Sequence, residues 1–456
     1  MVALERKRFK TLDAILSVIC VVFVCEAAAP AAAIGNSQYF WWLLMIFAFL
    51  LPYGLIAAEL DTTYEGEGGV YEWVRMAFGR RWGARTAWYY WVNLPLWISS
   101  LAVMFPRIID GAFGTQLGTL PALGIELAFI WGVAVISLFP VCDSLWILNG
   151  SAVIKALLAL TVGALGVRKA LATGLANPIT PASLLPSADP AALSHLSVIL
   201  FNFLGFEIIC AFSGDMEDPR RQIPRAIIAG GLVIAGIYLF SAFGIAAAIP
   251  LDQLSADSGL IDAIARMTGG SAPFVRVAAA LFLLSLFGNV SSWSLGVNAA
   301  ACRAAEQGDM PAVFALRRRD GGAPLGPALM NGAVASAVVL LARLIPNEAL
   351  FWSFFALNMV MLLLAYLPVF PAFYRMRRLD PDRERPFRVP GGRALLALMT
   401  ALPMALLLLS VCFTVVPLRF DAAALAETLP ITVGSALCAL IGEILARSPR
   451  VPRTKG

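Results

Sequence analysis

Residues 12–34 read LDAILSVICVVFVCEAAAPAAAI, and the reading of this stretch decides the fold. At 1.5 Å per residue, such a run is long enough to cross a hydrocarbon core of roughly 30 Å. Arg6, Lys7, Arg8 and Lys10 precede it and imitate a secretory leader. The run is too long for a leader core, and no soluble domain follows Ala31, Ala32 and Ala33. It reads as a first spanning helix with two features that a plain anchor lacks. Glu26 lies deep inside it, and Pro30 cannot donate a backbone hydrogen bond and crowds the carbonyl of Glu26. A break is expected there.

The rest of the chain repeats the apolar theme. Of its 456 residues, 60% are hydrophobic and 14% charged, with a mean hydropathy of +0.80. Soluble domains carry roughly 45–50% apolar and about 25% charged residues. The runs predict about twelve spans: 12–34, 40–60, 84–113, 122–141, 146–167, 195–214, 225–248, 275–302, 327–344, 348–374, 393–416 and 428–446. The expected class is an all-α polytopic membrane protein forming one domain over 1–456. Its divisions are a first repeat at 1–167, a second at 195–374 and two extra helices at 393–446.

Charge orients these spans. With the N-terminus inside, the inner segments carry 26 of the 34 Lys and Arg residues and the outer segments carry seven. A multi-pass cell-membrane protein with both termini cytoplasmic is the expectation. The lipid bilayer is then a partner. Nucleic acid is not, since no basic stripe is interleaved with exposed aromatics.

The seven cysteines and the single histidine have no metal-ligand spacing, so no metal or cofactor is expected, and the thiols read as buried and unpaired. There is no Gly-x-Ser-x-Gly elbow and no His-Glu-x-x-His site, which leaves no basis for an enzyme. His195 reads as interfacial. Gly66 to Gly69 has no Walker lysine and is not a phosphate loop. The cluster Trp88, Tyr89, Tyr90, Trp91 reads as packing or an interfacial belt.

An ionisable side chain deep in a span is costly, so its default reading is functional. Glu26 in span 1, Lys155 in span 5 and Glu207 in span 6 qualify. Glu207 ends the stretch Phe203-Leu204-Gly205-Phe206-Glu207, where Gly205 weakens the helix and Asn202 adds a polar group. Two broken spans, each beside a carboxylate, match the discontinuous helices that build transporter sites. As spans 1 and 6 they also begin two five-span halves, which fits an inverted repeat.

Three further segments carry a resemblance. They are GLIAAEL at 54–60 with EGGVYEWV at 67–74, LGFE at 204–207 running on to DPRRQIPRA at 218–226, and PDRERPFRVPGG at 381–392. Their order and spacing resemble the amino acid–polyamine–organocation superfamily, closest to its glutamate/GABA antiporters. The resemblance implies a LeuT-like five-plus-five inverted repeat plus two helices, with helices 1 and 6 unwound around the substrate. It implies a secondary active transporter of amino acids or related amines, working by alternating access. Lys155 resembles a lysine that replaces sodium in proton-coupled members, which implies proton coupling or exchange without sodium.

The substrate-binding set expected on these grounds is Glu26, Ala27, Ala28, Pro30, Asn202, Gly205, Phe206, Glu207, Trp293 and Asn358. Glu26, Lys155 and Glu207 are the candidates for proton coupling. By position alone, span 3 adds Asn93 or Trp97, span 8 adds Asn289 besides Trp293, and span 10 adds Phe354 besides Asn358. Two departures from the family stand out. Ala27 to Gly35 lacks the Gly-Ser-Gly turn that holds a substrate carboxylate, and no long plug follows before Gly456. The expected partner is a small molecule, an amino acid or amine, with a proton as a candidate co-partner. A polyamine or cationic-amine transporter is the alternative. From another class, the rival is a transport-dead membrane sensor.

Overall fold

The computed structural model describes residues 10–24, 31–64, 66, 68–139, 141–186, 196–209, 216–253, 260–318, 322–344, 350–417 and 422–447. Among them every regular element but an isolated bridge residue is helical. In chain order they are α1 (Thr11–Val22), α2 (Gln38–Thr63), α3 (Val70–Phe78), α4 (Arg80–Phe113), α5 (Thr119–Ile136), α6 (Val141–Thr173), α7 (Leu196–Phe201) and α8 (Pro219–Ala248). There follow α9 (Leu260–Met267), α10 (Ala272–Glu306), α11 (Leu325–Ala342), α12 (Leu350–Tyr366), α13 (Val369–Leu379), α14 (Arg393–Val415) and α15 (Ala422–Arg447).

Among the described residues ten helices are long and apolar enough to cross a membrane. Two shorter apolar helices, Thr11–Val22 and Leu196–Ile209, stand where spans 1 and 6 were expected. Among the described residues, the spans expected to hold Glu26 and Glu207 are the two whose helices stop short of a crossing length. The others form because long apolar runs in lipid can satisfy their backbone only internally.

Helix lengths recur in order. From α2 to α5 they run 26, 9, 34 and 18 residues, and from α8 to α11 they run 30, 8, 35 and 18. Each series follows a helix, α1 or α7, that stops within the described residues short of a crossing length. Centrality is unequal. The most apolar window of α4 is 72% buried within the protein, whereas that of α15 is 22% buried. Thus α4 is a core helix, packed on α10 and α12, and α15 lies on the rim against α4 and α12. Trp88 makes that rim contact by donating its indole N–H to the Cys438 carbonyl at 2.8 Å, so this aromatic cluster does pack.

Glycine brings α6 and α8 together. A Cβ on Gly166 would lie 2.2 Å from the Gly244 carbonyl oxygen, and one on Gly244 would lie 2.4 Å from that of Val162. Close backbone approach of this kind is how helices associate where lipid removes the hydrophobic drive. Among the described residues, Cys20, Cys302, Cys412 and Cys438 form no disulfide. Cys412 departs from the expected burial because it sits on the exposed face of α14.

Candidate functional site

The site is built where α1 and α7 stop. In α7 the helical ladder ends at Asn202, whose N–H reaches the Val198 carbonyl at 3.0 Å. Gly205 then takes φ +109°, a conformation that L side chains rarely adopt. A Cβ there would also lie 2.7 Å from Cζ2 of Trp293 and 3.0 Å from Cγ1 of Val21. The chain resumes in a short 3₁₀ turn over 206–209, which aims Glu207 into the bundle.

Glu207 is 2% exposed. Its Oε2 accepts a hydrogen bond from the Tyr53 hydroxyl of α2. Its Oε1 accepts one from Tyr90 of α4, at 2.5 Å, and one from Tyr366 of α12. Three helices thus contribute donors to one carboxylate. A hydrogen bond to a charged group contributes about 1.5–3 kcal/mol. Three together offset the several kcal/mol that burying one ion costs. No cationic side chain is hydrogen-bonded to Glu207 among the described residues.

The end of α1 is held by three other helices. Past Val22 the chain is extended at Phe23. Lys155 of α6, fully buried, donates to the Cys20 carbonyl at 2.6 Å. Trp293 of α10 donates its indole N–H to the Val21 carbonyl at 2.7 Å. Tyr238 of α8 accepts from the Val24 N–H at 2.7 Å and donates to the Val22 carbonyl at 3.4 Å. Backbone groups freed by the break are therefore satisfied by side chains, as a helix end in lipid requires.

Beside these ends lies an aromatic layer. Trp97 meets Trp293 edge to face at 5.8 Å and Phe201 at 6.1 Å, and Phe201 meets Phe355 at 5.3 Å. Several buried polar atoms have no hydrogen-bond partner: both amide atoms of Asn202 and of Asn289, Nε1 of Trp97 and Oδ1 of Asn358.

On the other side of Glu207 the bundle is shut. Gly69, at the start of α3, lies so close that a Cβ on it would sit 3.8 Å from Cγ of Glu207. Asp309, just after α10, has a fully buried side chain. It accepts from Tyr71 at 2.7 Å, Arg75 at 2.6 Å and Arg80 at 3.1 Å. Burial and that carboxylate push the Tyr71 hydroxyl well above its usual pKa, so it stays a donor. Arg303 holds Glu72 of α3 at 2.8 Å. Glu59, at the end of α2, is tied to Arg377, to Arg385 at 3.2 Å and to the Val389 N–H at 2.7 Å. The segments 54–60, 67–74 and 381–392, singled out for their motifs, thus form this closure.

The sequence-predicted residues separate into groups. Gly205, Trp293 and Trp97 come together, with Asn202 on the same turn of chain, whereas Glu207 is bonded to Tyr53, Tyr90 and Tyr366. Phe206 packs its ring against Tyr53, one of the three donors to Glu207, at 5.7 Å. Asn93 bonds the Tyr90 carbonyl at 2.5 Å. In span 10, Phe355 rather than Phe354 reaches the aromatic layer, and Asn358 follows it by one turn. Glu26, Ala27, Ala28 and Pro30 lie outside the described residues, as does His195. Sequence reasoning missed Tyr53, Tyr90, Tyr366, Gly69 and Asp309. The available signal was polar tips at mid-span depth: a buried tyrosine hydroxyl needs a partner, and so does a buried carboxylate.

Comparison with known proteins adds the lineage. A family model described as amino acid permease matches residues 9–439. A probable agmatine/putrescine antiporter of Lactococcus lactis is 56% identical over 443 residues, covering 97% of this chain and 95% of that protein. A polyamine transporter of Oryza sativa is 28% identical over 401 residues, covering 84% and 68%. A glutamate/gamma-aminobutyrate antiporter of Lactococcus lactis is 24% identical over 372 residues, covering 78% and 73%.

Proposed function

Because the chain belongs to the amino acid permease family, and is therefore a multi-pass membrane transporter of amino acids or related amines, we propose that it exchanges the diamines agmatine and putrescine. The observation that carries this reading is the Glu207 cage. A buried carboxylate ringed by three phenol hydroxyls, with no cationic side chain bonded to it among the described residues, suits an ammonium group and repels a substrate carboxylate. Phenol oxygens both donate and accept, so the three hydroxyls can rotate to receive ammonium N–H groups while the carboxylate takes the charge. The extent of likeness to the Lactococcus lactis antiporter supports the same substrate class, well above the likeness to the glutamate/gamma-aminobutyrate antiporter.

Electrostatics favours exchange. A carboxylate emptied of its cation deep in a membrane is costly, so the return step is easier with a second cation on board. A proton on Glu207 is the other way to neutralise the empty site. Lys155 holds the end of α1 with a fixed charge where other carriers use a metal ion, which supports coupling without sodium. The recurrence of helix lengths supports two five-span repeats at 1–167 and 195–374, inverted because five is odd, with 393–446 added. The charge bias supports cytoplasmic termini, with α3 on the cytoplasmic side. In this arrangement the cytoplasmic mouth is closed by α3, and alternating access requires that closure to release.

Counterflow in proteoliposomes tests the reading. Vesicles loaded with putrescine should take up labelled agmatine, empty vesicles should take up little, and Glu207→Gln should lower the exchange at least tenfold in a folded protein. Exchange confined to glutamate and GABA, or equal uptake by loaded and empty vesicles, would overturn it.

A further inference from the structure

Asn202 and Asn289 are each fully buried, and neither amide has a hydrogen-bond partner at either atom. Buried amides without partners cost free energy and demand an explanation. Their surroundings point to a ligand. Asn289 precedes Trp293 by one turn of α10, so the two side chains share a face. Asn202 follows Phe201, whose ring meets Trp97. Trp97 and Asn358 add two more unpaired atoms, Nε1 and Oδ1. Four helices or helix ends, α4, α7, α10 and α12, thus carry unpaired neutral polar atoms on members of one aromatic layer or within a turn of them.

Two independent rulers set the distance from this layer to Glu207. On α4, Tyr90 bonds Glu207, and Trp97 lies seven residues further on, about 10 Å along the axis. On α12, Tyr366 bonds Glu207, and Asn358 lies eight residues away, about 12 Å. A hydrogen bond at either end adds about 3 Å to the reach of a ligand. The two nitrogens of an extended four-carbon diamine are about 6 Å apart, five single bonds of ~1.5 Å in a zigzag. A linear diamine fits between the levels with one end at each.

We propose that Asn202 and Asn289 form a second, uncharged subsite, which takes the end of the diamine that Glu207 does not hold. The inference rests on the amine-exchange reading above and deepens it. Agmatine and putrescine share one ammonium end and differ at the other, where a guanidinium replaces an ammonium. Glu207 receives the shared end. Amide oxygens accept from either kind of cationic end, and the indole faces of Trp97 and Trp293 attract both. A second carboxylate would hold the cation harder and slow its release, whereas neutral amides recognise without trapping.

Exchange of putrescine, agmatine and 1-butylamine by wild type, Asn289→Leu, Asn202→Leu and Asn289→Asp tests this. Wild type should favour putrescine over butylamine at least tenfold in KM. Each leucine variant should bring that ratio close to one, and Asn289→Asp should raise it above the wild-type value. Unchanged ratios in variants that melt like wild type would mean that the amides hold only water, and would overturn the subsite. A parallel rise in KM for butylamine and putrescine would overturn it as well, because the amides would then support the pocket rather than read its second end. Should a leucine variant not fold, the aspartate variant decides by the same ratio. Absence of any amine exchange in wild type is the distinct result that removes the reading beneath.

Discussion

Replacing Gly205 by alanine tests the geometry on which the site rests. The residue holds φ +109°, which for an L side chain costs about 1–2 kcal/mol. The new Cβ would also lie 2.7 Å from Trp293 Cζ2 and 3.0 Å from Val21 Cγ1, and overpacking of this kind costs about 1–3 kcal/mol. Trp293 cannot retreat freely, because its N–H is bonded to the Val21 carbonyl at 2.7 Å. The total of about 2–5 kcal/mol, at about 1.4 kcal/mol per decade, disfavours the closed arrangement roughly 30-fold to several thousand-fold. Thermal melting in detergent and the KM for exchange would both report it. The contributions separate in a double-mutant cycle, since in a Trp293→Leu background Gly205→Ala should retain only the backbone cost and the Val21 contact. If Gly205→Ala melts and exchanges like wild type, the strained turn against Trp293 does not exist as described.

Other outcomes follow from the same contacts. Asp309→Asn removes the charge that gathers Arg75 and Arg80, so α3 should loosen; a cysteine placed at Val70, with the native cysteines replaced, should then react several-fold faster with an impermeant thiol reagent, and an unchanged rate would remove Asp309 as a latch. Tyr238→Phe strands the buried Val24 N–H, costing about 1–3 kcal/mol, which a lowered melting temperature and weakened exchange would register. Lys155→Met frees the Cys20 carbonyl and removes a fixed charge beside α1; exchange should drop at least tenfold, and full retention would reduce Lys155 to packing.

The sequence was informative about everything that follows from lipid as a solvent. Apolar runs of spanning length must be helices, and a carboxylate within one must have a purpose. Hence the spans, the breaks at the first and sixth, and the placing of Glu207 within the membrane could be read in one dimension. Gly205 was recognised as a weak point, and its positive φ supplies the reason. The motif segments around 54–60, 67–74 and 381–392 were recognised by likeness alone. Their physical role, the network around Glu59, Glu72 and Asp309, was not, because each partner lies more than two hundred residues away along the chain.

Only the tertiary structure decided what surrounds Glu207. Tyr53, Tyr90 and Tyr366 come from three helices and are ordinary aromatic residues in apolar runs; nothing local marks one tyrosine for the carboxylate and its neighbour for lipid. Periodicity gives the face of a helix, but which helix that face meets is set by packing among all of them. The sequence thus determined that a charge is buried and that the chain must break beside it. The fold decided which hydroxyls share that charge, which helix seals the site, and which buried amides are left unpaired.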